Sequence, residues 1–126
     1  MTQQRLLVVD DDPDFCEYVR TVAEQKNYTV ETIQNPLDFK ELFQSFNPAV
    51  IVLDLVMPEM DGIEIIRWLA SKDRPVHVVL VTGYDPRYVL MADKLAMDRS
   101  ENLKISPIEK PLHVNTLVRI LQQPNN

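Results

Sequence analysis

Three apolar runs of strand length stop abruptly at polar residues. Leu6-Leu7-Val8-Val9 stops at Asp10, Val50-Ile51-Val52-Leu53 at Asp54, and Val78-Val79-Leu80-Val81 at Thr82. Between these runs the apolar residues recur at helical intervals. Over residues 13–25, Phe15, Val19, Val22 and Ala23 fall on one helix face. Asp12 is placed to cap that helix, with Pro13 at the first helical position, where its missing N–H would have no helical partner. Residues 29–33 alternate more loosely, as a more exposed strand would. Asn35-Pro36 then reads as a cap and first turn, followed by the stripe Phe39, Leu42, Phe43 and Phe46. The run at 50–53 is continuous in Val, Ile and Leu, as expected of a parallel strand covered on both faces.

The second half repeats the alternation. Residues 62–71 predict a third helix with Ile65, Ile66, Leu69 and Ala70 facing inward, and 76–81 a fourth strand. Residues 86–99 predict a fourth helix through Tyr88, Ala92, Leu95 and Ala96. A short fifth strand over 103–106 precedes a last helix marked by Val114, Leu117, Val118 and Leu121. Five βα units in series predict an α/β fold, a parallel sheet sandwiched between helices. No internal repeat or low-complexity linker interrupts 1–126, which reads as one domain. Only 122–126, Gln-Gln-Pro-Asn-Asn, looks like a tail or the start of a linker.

Composition narrows the classes. At 126 residues the chain can bury one sizeable core, and 45% apolar with 25% charged residues argues against disorder. Its apolar runs are too short for a membrane helix, and the N-terminus lacks a signal-peptide layout. Cys16 is the single cysteine, which excludes an internal disulfide and suits a cytoplasmic setting. A formal charge of −6 excludes the basic footprint of a direct nucleic-acid binder.

Part of that acidity is concentrated at Asp10, Asp11, Asp12 and Asp14. Helix capping accounts for Asp12 and Asp14 and leaves Asp10 and Asp11 unexplained. In an open parallel sheet, ligands bind beyond the carboxyl ends of the strands, where strand order reverses. That rule gathers Asp10, Asp11, Asp54, Thr82 and Lys110 at one edge. Three neighbouring carboxylates repel unless a proton or cation intervenes. Mg2+ suits one or two carboxylates and keeps several waters, with the Val56 backbone carbonyl as a further ligand. Lys110 and the Thr82 hydroxyl could then hold a transferred phosphoryl group, with Asp54 as its nucleophile.

Four pieces of the chain carry a resemblance: Leu7-Val8-Val9-Asp10-Asp11-Asp12-Pro13, residues 53–62 around Asp54, Val81-Thr82-Gly83, and Lys110-Pro111. Together they resemble the receiver domain of two-component response regulators, across essentially the whole chain. The resemblance implies a flavodoxin-like (βα)5 sandwich with sheet order 2-1-3-4-5. It implies that Asp54 accepts phosphate from a histidine kinase or phosphotransfer protein, with Mg2+ at Asp10 and Asp11. Thr82 and Lys110 become the switch hydroxyl and the phosphate-binding lysine. Output or homodimerisation is expected through the face of the fourth helix, fifth strand and fifth helix. In the family an aromatic residue three positions before the lysine rotates inward on phosphorylation, whereas this chain has Pro107 there. The stretch from Thr82 to Lys110 is longer than in compact chemotaxis-type receivers, and is similar to receivers that precede cyclic-dinucleotide phosphodiesterase domains. Val56 and Tyr84 flank the approach of a hydrolytic water and are poorly suited to orient it, so slow self-hydrolysis is expected.

Other classes fit less well. An interaction module that keeps the fold without using phosphate would not need the acidic pair, Asp54, Thr82 and Lys110, although Pro107 favours it. A phosphatase with an aspartyl nucleophile needs a second aspartate two positions on, where Val56 stands. A flavin or nucleotide site is opposed by Asp10-Asp11-Asp12 in place of a glycine-rich loop. His77 and His113 have no ligand partners at useful spacing. Cys16 reads as a small packed side chain, and Trp68 as packing or interface.

Overall fold

The structure, a computed structural model, describes residues 4–54, 62–72, 74–82, 94, 103–109 and 112–122. Five parallel strands, β1 (Gln4–Val9), β2 (Tyr28–Ile33), β3 (Val50–Asp54), β4 (Val76–Thr82) and β5 (Leu103–Glu109), form one sheet of order β2-β1-β3-β4-β5. The described helices are α1 (Pro13–Glu24), α2 (Phe39–Phe46), α3 (Gly62–Ala70) and the C-terminal α4 (Val114–Leu121). The helix expected over 86–99 lies outside the described residues apart from Lys94, which is helical. The α/β sandwich is as the alternation of elements predicts, and the strand order is the one the family resemblance implies.

Two apolar layers flank the sheet. On one side Leu7, Val9, Ile51, Leu53, Val78 and Leu80 pack against Phe39 and Phe43 of α2 and Ile66 and Leu69 of α3. On the other, Leu6, Val8, Val52, Val79 and Val81 meet Val19 and Ala23 of α1 and Leu117 and Ile120 of α4. Consecutive strand residues therefore supply opposite layers. This is why β1 and β3 read as unbroken apolar runs rather than alternating ones.

Local chemistry sets the boundaries. Asp12 caps α1 by accepting from the Asp14 N–H at 2.9 Å, ahead of Pro13. Asn35 caps only a 3-10 turn, Pro36–Asp38, and α2 begins at Phe39. Asn27 and Asn47, in the turns that enter β2 and β3, have φ of 69° and 57°, a left-handed backbone that asparagine tolerates. β5 runs past the predicted residue 106, through Pro107 to Glu109. It is an edge strand, and an edge accepts a proline whose missing N–H would face away from the ladder. Pro107 sits opposite Leu80 in register and is exposed.

The two layers are closed by hydrogen bonds as well as by burial. The Tyr28 hydroxyl donates to the Leu121 carbonyl at 2.8 Å, tying β2 to the end of α4. The Tyr18 hydroxyl donates to the Leu112 carbonyl at 2.8 Å. Burial raises both phenol pKa values, which keeps these groups protonated as donors. His77, given no role by spacing, is buried in β4 and within 2.8 Å of the Ser106 hydroxyl on β5.

Candidate functional site

The site forms where strand order reverses. β1 has β2 on one side and β3 on the other, and Val9 is level with Leu53. The next residues, Asp10 and Asp54, are therefore neighbours, in phase with Val8 and Val52 on the α1–α4 side. Sequence separates them by dozens of positions; the parallel register removes that separation.

Asp10 and Asp54 are buried, with 0% and 3% of their surface exposed, whereas Asp11 is exposed. One oxygen from each of the three carboxylates lies within 4.8 Å of the other two. At that spacing each ionised pair repels by roughly 3 to 4 kcal/mol for an effective dielectric of about 20. This is comparable to a substantial part of a domain's net stability, a repulsion that a bound proton or cation would relieve. An all-oxygen set with two carboxylates recessed and one facing solvent fits a hard divalent cation that keeps part of its water shell. It suits zinc or copper less well, since among the described residues no histidine or thiolate joins the cluster.

The turn that holds the carboxylates is itself well bonded. The Asp10 N–H donates to the Ile33 carbonyl at 3.1 Å, extending the β1–β2 ladder by one residue. The Asp12 N–H donates to Asp10 Oδ1 at 2.9 Å, fixing one carboxylate oxygen. From the first turn of α1 the Cys16 thiol donates to the Asp10 carbonyl at 3.4 Å. Burial, reinforced by the negative charges of Asp10 and Asp12, pushes that thiol up to about 11, so it stays protonated and can donate. Cys16 is thus the packed side chain expected, with a bond that holds the acidic turn. Spacing alone could not reveal that bond.

Thr82 is the last residue of β4, paired in register with Glu109 of β5. The Thr82 side chain, Val56, Tyr84 and Lys110 lie outside the described residues. Leu112, two positions after Lys110, is buried and held through its carbonyl by Tyr18 of α1. Sequence reading passed over Tyr18, because 94 residues separate its hydroxyl from the carbonyl it bonds.

Comparisons with known proteins agree with this geometry. The model of the response regulator receiver domain matches residues 6–122, and the chain belongs to that family. Response regulator MprA of Mycobacterium ulcerans is 36% identical over 81 residues, covering 64% of this chain and 35% of MprA. The chain thus spans about a third of the length of that curated relative. Response regulator receiver protein CpdR of Brucella abortus is 28% identical over 120 residues, 95% of either chain. Among solved structures, the response-regulator signal receiver domain of Bermanella marisrubri aligns with a TM-score of 0.76 at 27% identity. That alignment covers 95% of this chain and 96% of that one. Such domains serve two-component signalling, in which kinases and output domains are the general partners. No described helix is long and apolar enough to cross a membrane.

Proposed function

We propose that the chain is a phosphorylation switch in which Asp54 accepts a phosphoryl group from a histidine kinase or phosphotransfer protein. The convergence of Asp10, Asp11 and Asp54 on one point at the carboxyl edge of the sheet carries this reading. A carboxylate oxygen of Asp54 attacks phosphorus, a P–O bond forms, the P–N bond to the donor imidazole breaks, and the imidazole leaves with a proton from solvent. Asp10 and Asp11, with Asp54 and the Val56 carbonyl, are the groups that would hold Mg2+. Bound there, the ion supplies positive charge to offset the phosphoryl oxygens. Lys110 adds a second cation and Thr82 a hydroxyl donor to the same oxygens.

The chain therefore catalyses only its own phosphorylation and dephosphorylation. One domain over 1–126, with 122–126 as tail or linker, is the organisation this reading uses. Its conformational relay differs from the usual one at Pro107, which is exposed on edge strand β5 and cannot act as a rotating aromatic. Output to a partner or second copy then depends on the β5 and α4 surface and the segment between Thr82 and Lys110, without the aromatic rotamer.

Incubation with acetyl phosphate or phosphoramidate and Mg2+, followed by intact mass measurement, tests the proposal. Wild type is expected to gain one phosphoryl group, and Asp54→Ala none. No gain on wild type would return the chain to the interaction-module reading. A gain retained by Asp54→Ala would move the phosphoacceptor elsewhere.

A further inference from the structure

At the opposite, amino edge of the sheet, three cations stand against two aromatic rings, with the Arg5 guanidinium beside them. Lys72 Nζ stands 4.2 Å from the centroid of the Trp68 ring, and Lys40 Nζ 5.5 Å from the same centroid. The Arg74 guanidinium is 4.4 Å from the centroid of Phe43, whose ring meets Trp68 edge-on at 5.3 Å. Arg5, at the start of β1, donates from Nε to the Asn47 carbonyl at 3.2 Å, and Arg74 Nη2 to the Pro48 carbonyl at 2.8 Å. Phe43, Gln44, Asn47, Lys72 and Arg74 line an open cavity of about 270 Å3.

Structural duty accounts for part of this cluster. The two guanidiniums satisfy carbonyls just beyond the end of α2, where cations are favoured. Each offers five N–H groups, and bonds to described residues use one apiece. Among the described residues, ion pairs involve Arg20 and Arg67, and none of these four cations has a carboxylate within pairing distance. Burial, and then the charge of Arg5, lowers the pKa of Arg74 from its ordinary value. Counted over the described residues the cluster is positive, in a chain whose formal charge is −6; Asp73, between Lys72 and Arg74 in sequence, lies outside them.

We propose that this edge is a docking site for an acidic segment of a partner protein. One carboxylate enters the cavity between Lys72 and Arg74, and a neighbouring one reaches Lys40. The occupant is extended because Lys40 shares the Trp68 ring but does not line the cavity, so a lone small anion would leave it unused. It is a peptide rather than a nucleic acid because a long polyanion would extend past this edge over a chain whose formal charge is −6. A ring-and-guanidinium surface held in place by backbone bonds loses little entropy on binding.

Trp68 is the single tryptophan, so its fluorescence reports directly on the site. A labelled hexaglutamate peptide, titrated by anisotropy and by Trp68 emission, is expected to bind saturably and more weakly as salt rises, while hexaglutamine does not bind. Lys40→Glu with Lys72→Glu should lower affinity by about tenfold or more, equivalent to 1.4 kcal/mol per factor of ten. The milder Lys40→Gln with Lys72→Gln should give a smaller loss, and circular dichroism should show both variants folded. Asp54→Asn should bind as wild type does. Failure to bind hexaglutamate, equal affinity in the lysine variants, or displacement by equimolar inorganic phosphate would each overturn the proposal.

Discussion

The two edges of the sheet carry opposite charge and different histories in the sequence. At the carboxyl edge Asp10, Asp11 and Asp54 converge; at the amino edge Arg5, Lys72 and Arg74 do, with Lys40 beside them. β1 alone connects them, with Arg5 at one end and Asp10 just past the other. Five residues at about 3.3 Å each separate the two by roughly 16 Å, about twice the Debye length at physiological salt. The edges are therefore electrostatically near-independent. The acidic edge is a compact set with recessed carboxylates, suited to a small hard cation and a phosphoryl group. The basic edge is shallow, aromatic and broader, suited to a peptide. Opposite ends of one rigid sheet can thus serve chemistry and recognition without disturbing each other.

The largest expected effect breaks that comparison into its halves. Asp54→Asn should abolish phosphoryl uptake in the mass assay while leaving hexaglutamate affinity within about twofold. The paired lysine reversals should do the converse. Loss of both properties in either variant would mean that the edges are coupled through the sheet.

Next in size is the response to Mg2+. A ligand at about a hundred times its Kd stabilises the folded state by about 2.7 kcal/mol. Wild type should show a thermal midpoint that rises with Mg2+. Asp11→Asn should lose most of that rise and start higher in chelator, because one of the three mutually repelling carboxylates is gone. An unchanged Mg2+ response in Asp11→Asn would remove this residue from the metal set.

A third test probes the sheet between the edges. Burial, and then the charge of Lys104, lowers the pKa of His77 from 6.5 to about 4. The unfolded chain therefore binds a proton at His77 before the folded chain does. Stability should fall as pH drops from about 6.5 towards about 4, and the contribution is absent above that window. The difference in urea midpoint between wild type and His77→Asn should depend on pH within the window and be flat above it. A flat difference throughout would show that His77 titrates normally. The smallest expected effect is that of Tyr28→Phe, which removes the bond to the Leu121 carbonyl. It should cost about 1 kcal/mol by denaturant titration, with phosphoryl uptake and peptide affinity unchanged.

How much of this was legible in the sequence differs between the edges for a physical reason. The apolar runs and helical stripes placed most of the described elements, because burial on both faces of a parallel strand leaves a signature in the residues themselves. Asp10 and Asp54 were legible too: each stands immediately after an apolar run, and the sheet rule collects those run ends at one edge; the Thr82 side chain and Lys110 lie outside the described residues. The limit of β5 was not, since Pro107 argues against a strand until its place at the sheet edge is known. His77 was passed over because its partner, Ser106, lies on the neighbouring strand. The basic edge had no sequence signal at all. Arg5, Lys40, Trp68, Lys72 and Arg74 sit on a strand start, two helices and a loop, with no shared motif.

By itself, the sequence determined the α/β class, the alternation of elements and the identity of the phosphoacceptor candidate, because hydrophobic periodicity and strand-end chemistry are local. Tertiary structure alone decided which distant side chains meet. The β1–β3 register made Asp10 and Asp54 neighbours and brought the carboxylate oxygens within 4.8 Å. The packing of α2 against α3 set three of the cations over two rings. Neither proximity is encoded in spacing along the chain; both arise when a parallel sheet folds remote segments onto a common edge.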